Sequence, residues 1–179
     1  MGNARRILRR MPNTESTLVA SDTLHGSARR PLKTIVFAGL VAGALDITYA
    51  FIIWGLRGVS PIRIGQSVAS GLLGREAAVG GGTATGLFGL LLHFTMAIII
   101  AAIYYTAARN IRLLVDRAVP CGIAFGLVAY GVMNYVVMPL SAIGVVGDGG
   151  PAYIRITGIL VHMFLIGLPI ALFTRRDLR

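Results

Sequence analysis

The stretch "GLVAGALDITYAFIIWG", residues 39–55, is largely apolar and carries Asp46 near its middle. It belongs to a longer apolar run, Thr34–Leu56. A helix rises about 1.5 Å per residue and needs about 20 residues to cross a hydrocarbon core roughly 30 Å thick. The run is long enough to span a bilayer, and Thr85–Ala108, Val119–Leu140 and Tyr153–Phe173 are of similar length. Membrane strands would be half as long and would alternate in polarity, which these segments do not. Lipid offers no hydrogen bonds to the backbone, so helices remain. The expected fold is all-α, a polytopic membrane protein with a bundle of four transmembrane helices.

Composition agrees. Of 179 residues, 55% are hydrophobic and 13% charged, against about 25% charged in an average soluble domain. Mean hydropathy is +0.76. The net charge of +10 sits at the ends of the apolar runs rather than on a periodic polar face. That pattern orients a membrane protein and argues against nucleic-acid binding. Cys121 is the single cysteine, which excludes an internal disulfide and a thiolate metal cluster.

Residues 1–33 form a basic polar arm, expected to be disordered and cytoplasmic and to lie along anionic lipid. Arg29-Arg30 ahead of an apolar stretch echoes a twin-arginine export signal, but the run continues to Leu56, so an uncleaved span is expected. Arg5, Arg6, Arg9, Arg10, Arg29, Arg30 and Lys33 lie on one side of the membrane. Arg109, Arg112, Arg117, Arg175, Arg176 and Arg179 join them there. Only Arg57, Arg63, Arg75 and Arg155 fall on the other side. The positive-inside rule then places both termini in the cytoplasm.

Two loops face the other side. In the longer one Ser60-Pro61 is a helix start and Gly74 a stop. Ile64, Val68 and Leu72 recur every four residues between them, which predicts an amphipathic interfacial helix over Pro61–Leu73, with a re-entrant segment as the alternative. Gly80-Gly81-Gly82 reads as a hinge, and "GDGGP" (147–151) as the turn of the shorter loop.

Membrane helices associate through small residues. Gly39 and Gly43, Gly82 and Gly86, and Gly122 and Gly126 are each spaced by four, which predicts close packing within a bundle. The same pairs would also suit a homo-oligomer. Gly39, Ala42, Gly43 and Ala50 share one helical stripe with Asp46, so the carboxylate is expected to face the bundle. His93 shares a face with Gly86, Gly89, Ala97 and Ala101, and His162 follows Gly158 by four. Tyr130, Asn134 and Met138 form an i, i+4, i+8 line. By helical rise, Asp46, His93 and His162 fall about 13–16 Å below the boundary and Asn134 about 9 Å. Ionisable groups at such depth are candidates for function.

Three readings of Asp46, His93, Asn134, His162 and Tyr130 compete. They are hydrogen-bonding glue between helices, in a structural or scaffold protein. They form a path for protons or a small solute, with Tyr104 and Tyr105 extending it. Or His93 and His162 are the two axial ligands of a b-type haem; no cofactor is needed otherwise. No HExxH, nucleophile elbow or complete phosphate loop is present, so no enzyme class is favoured.

With these residues in view, the chain resembles the YagU-like proteins, small bacterial inner-membrane proteins. The resemblance rests on "GLVAG" (39–43), Trp54-Gly55, His93 in "LLHF", "MPL" (138–140), His162 and the closing "RRDLR" (175–179). It covers the chain from about residue 35 onward and lies in the order and spacing of these motifs. It implies four spans, an inner membrane and no established activity. His93 and His162 match positions where the family can carry histidine, and Asn134 stands near another. Asp46 departs from that pattern.

Overall fold

The computed structural model describes residues 14–144 and 151–179, with side chains from Pro31 onward. No strand occurs among the described residues. The chain divides into two units, Met1–Lys33 and Thr34–Arg179. In order, the α-helices are α1 (Thr14–Gly55), α2 (Pro61–Leu73), α3 (Arg75–Gly80), α4 (Gly82–Asn110), α5 (Arg112–Asp116), α6 (Ala118–Val132), α7 (Met138–Leu140), α8 (Ala152–Val161) and α9 (Leu168–Leu178). In the first unit the backbone is helical from Thr14, where the sequence reading expects disorder. Residues 1–13 of that arm lie outside the described residues.

Four helical segments are long and apolar enough to cross a membrane: Pro31–Gly55, Gly82–Asn110, Ala118–Leu140 and Ala152–Leu178. The chain is a multi-pass membrane protein by that measure. Neighbouring spans run antiparallel, so 56–81 and 141–144 share one end, called here the loop end. Residues 111–117 and Arg175–Arg179 share the other, the basic end.

Specific contacts order the spans. The first meets the second where a Cβ on Gly39 would lie 2.6 Å from Ile98 Cα and one on Gly43 would lie 3.0 Å from the Phe94 ring. The second meets the third through Tyr104 and Phe125, with ring centroids 4.9 Å apart. The third meets the fourth backbone to backbone: a Cβ on Gly122 would lie 2.7 Å from Ala171 Cβ, and one on Gly126 would overlap the His162 carbonyl. The fourth returns to the first through Phe37 and Phe173 and through Tyr49, whose hydroxyl donates to Thr157 Oγ1 at 2.5 Å. The core lies toward the basic end and is built from Ala38, Ala42, Ala101, Tyr104, Ala108, Ile170 and Ala171.

Helix α2 has the limits the sequence predicts. Ser60 Oγ accepts the Arg63 N–H at 3.3 Å, Pro61 occupies the first turn and Gly74 leaves the helix at φ 78°. Its packing face differs in part from the Ile64, Val68 and Leu72 stripe expected. The buried face carries Ile64, Gly65, Ala69 and Ser70, while Leu72 is exposed. A Cβ on Gly65 would overlap the Gly86 carbonyl, and one on Gly89 would overlap the Gly65 carbonyl. Gly86 therefore serves α2 rather than another span. The far end of α2 reaches the third span, where Ala142 N–H donates to the Gly71 carbonyl at 2.8 Å. Thus α2 bridges the second and third spans at the loop end, whereas at the basic end those spans touch directly.

Gly82 corrects one expectation. It has φ +60° and a Cβ there would meet nothing, so it turns the chain into α4 and packs against no helix. Gln66 Nε2 donates to its carbonyl at 2.8 Å, fixing that turn to α2.

Two wide π-helical turns were not anticipated, Met133–Val137 in the third span and His162–Gly167 in the fourth. Each lies just before a proline, Pro139 or Pro169. Proline lacks an N–H and clashes with the carbonyl four residues back, and a widened turn relieves that conflict.

Candidate functional site

The intramembrane polar residues occupy two places. Between the first and second spans, His93 Nε2 lies 2.9 Å from the Gly43 carbonyl oxygen and 4.0 Å from Asp46 Oδ2. A carbonyl can only accept, so Nε2 carries a proton and donates. Asp46 has no other charged or hydrogen-bonding side chain in contact among the described residues. Between the third and fourth spans, the rings of Tyr130 and His162 meet edge to face at 5.3 Å. His162 Nδ1–H donates to the Gly158 carbonyl at 2.9 Å, and Asn134 Nδ2 donates to the Tyr130 carbonyl at 3.0 Å. The single five-residue cluster expected from the sequence is therefore two groups.

The second group sits on the wide turns. Asn134 lies inside the first and His162 opens the second. Each side chain bonds a carbonyl four residues back, and each of those carbonyls also accepts a backbone N–H, from Met133 to Tyr130 and from His162 to Gly158. The side chains thus satisfy their own donors within the helix, as polar groups in a membrane must.

Asp46 points into the ring of spans. At 100° per residue it lies between the face of α1 that meets the second span, Gly39 and Gly43, and Tyr49, which meets the fourth. Although it faces inward, its side chain is 21% exposed and that of His93 15%. One turn toward the basic end Ala42 is 0% exposed, as is Ile170 of the fourth span, and Tyr104 is 1%. Toward the loop end Ala50, Ile53, Asn134 and Thr157 are all half-buried. Closure is thus complete at Ala42, Ile170 and Tyr104, while between Asp46 and the loop end it is mixed, with Ile154 buried and Ala50, Ile53 and Thr157 half-buried.

The tyrosines expected to extend a polar route instead help seal the basic end. Tyr104 OH donates to the Leu114 carbonyl at 3.0 Å and Tyr105 OH to Asp177 Oδ2 at 2.6 Å. At the loop end, the Arg57 guanidinium stands over the rings of Trp54 and Tyr153, 5.2 and 5.3 Å from their centroids, and donates to Tyr153 OH.

The haem reading requires His93 and His162 to face one another. Each imidazole has one ring nitrogen on a backbone carbonyl, His93 Nε2 on Gly43 and His162 Nδ1 on Gly158. The two imidazoles also belong to different helix pairs. Among the described residues no group of three or more His, Cys, Asp or Glu side chains is placed to hold a metal ion.

No protein-family model, curated protein or solved structure matches this chain.

Proposed function

We propose that this membrane protein admits protons or a small polar solute from the loop end into a crevice that terminates at Asp46 and His93, as one step of transport. The observation that carries the reading is the contrast along α1: an inward carboxylate 21% exposed, with a fully covered alanine one turn below. A carboxylate at this depth costs at least about 2.5 kcal/mol in hydrocarbon and is tolerable beside water. The tight basic end makes this a crevice rather than a continuous pore, so passage requires the seal around Tyr104 and Ile170 to open. Arg109, Arg112, Arg117, Arg175, Arg176 and Arg179 at the other end support a cytoplasmic basic face, with the crevice opening away from the cytoplasm. Similarity to YagU-like inner-membrane proteins is consistent with this placement.

The test is reconstitution into liposomes, with an imposed pH gradient read by a trapped dye and osmotic gradients of small solutes read by light scattering. The protein is expected to accelerate at least one relaxation above empty vesicles, and Asp46→Asn and His93→Ala to abolish that gain while remaining folded. Flux equal to empty vesicles, or full flux in both variants, contradicts the reading.

A structural role is the second reading, favoured by one observation: His93, Asn134 and His162 each bond a backbone carbonyl. It predicts that replacing them harms only folding and assembly.

A further inference from the structure

We infer that the crevice selects a small cation bearing N–H donors, an ammonium or primary amine, with the carboxylate of Asp46 as its seat; this rests on the crevice reading above. Asp46 is the only acidic side chain in the described spans short of Asp177 at the basic end. The one charge partner within 4.0 Å of its carboxylate among the described residues is His93 Nε2, at 4.0 Å and so beyond hydrogen-bond range, and that N–H is committed to Gly43 at 2.9 Å. An ionised carboxylate offers about four acceptor sites and no donor. What it lacks is a positively charged group with hydrogens to give.

The surroundings favour such a group over the alternatives. A metal cation would need about six oxygen ligands in place of its water shell, and Asp46 has no second carboxylate beside it. An anion would meet the carboxylate at the closed end of the crevice. One turn toward the loop end, Tyr49 OH and Thr157 Oγ1 add lone pairs, since Tyr49 spends its proton on Thr157 and Thr157 spends its own on the Tyr153 carbonyl at 2.8 Å. The approach to the carboxylate is therefore lined by acceptors. Arg57 opposes a cation only weakly. It lies two residues past the end of α1, whose last residue is itself about 14 Å above Asp46 by helical rise. Its charge is also directed onto Trp54 and Tyr153.

The experiment uses full-length protein carrying Cys121→Ser, with a reporter Ala50→Cys or, separately, Ile53→Cys. Both positions are half-buried on the inward face, one and two turns above Asp46. Each reporter is treated with a trimethylammonium-bearing or a sulfonate-bearing methanethiosulfonate. Relative to a free thiol, the cationic reagent is expected to react at least about tenfold faster than the anionic one, as single-sign clefts enrich counter-ions by 10-fold or more. Asp46→Asn should remove the preference. Methylammonium chloride should slow modification, and potassium chloride at equal concentration should not. Equal rates for both reagents, a preference that survives Asp46→Asn, or equal protection by potassium overturns the amine assignment while leaving an accessible crevice. Failure of either reagent to reach both reporters in folded protein overturns the crevice itself, and the amine assignment with it.

Discussion

His93 on the second span donates from Nε2 to the carbonyl oxygen of Gly43 on the first, at 2.9 Å, and the same nitrogen lies 4.0 Å from Asp46. One imidazole thus fixes the register of two helices and stands beside the only carboxylate near their midpoint. The absence of a side chain at Gly43 makes the approach feasible, since a Cβ there would already press on Phe94 and Ala97 at 3.0–3.1 Å.

His93→Ala is expected to lower the stability of the detergent-solubilised protein by roughly 0.6–1.7 kcal/mol, the range of interhelical hydrogen bonds in membranes. His93→Gln keeps an N–H donor and should recover much of the loss. Reversible unfolding followed by circular dichroism checks this. Equal losses in both variants would show that the ring's packing, and not its hydrogen bond, holds the spans.

The third and fourth spans are predicted to separate when either of their contact glycines gains a side chain. Gly126→Val and Gly167→Val each drive methyl groups into opposing backbone, and overpacking of this kind typically costs about 1–3 kcal/mol or more. Gly131→Ala, where a Cβ meets nothing, should be neutral or slightly stabilising. Thermal unfolding of the three variants side by side distinguishes contact from composition.

Much of this architecture was legible beforehand. The four spans follow from run length alone, and the limits of α2 follow from Ser60-Pro61 and Gly74, whose signals are local. What escaped the sequence reading depends on distant partners. Gly82 and Gly86 look like a packing pair by spacing, yet Gly82 is a turn residue and Gly86 meets Gly65 of α2. Likewise Asp46, His93, Tyr130, Asn134 and His162 share a depth, but depth does not determine which helix pair each side chain enters. The wide turns left a readable trace in Pro139 and Pro169, each preceded within seven residues by a polar side chain able to bond a carbonyl of its own helix.

Gly65→Val should lift α2 from the second span, because its Cβ would collide with the Gly86 carbonyl rather than with a flexible side chain. Amide hydrogen exchange over residues 61–73 is expected to quicken by an order of magnitude or more, with exchange at Tyr104–Ala108 unchanged. Uniform acceleration across the second span would instead mean that α2 and the bundle are one cooperative unit.

The most direct test of an inward surface accessible from one end only is a cysteine-accessibility profile along α1 in a Cys121→Ser background, using a membrane-impermeant maleimide. Cysteines at Ala50 and Ile53 are expected to react from the loop end, and cysteines at Ala38 and Ala42 to resist reagent from either end. Equal reactivity at all four positions, or none at 50 and 53, would contradict the account.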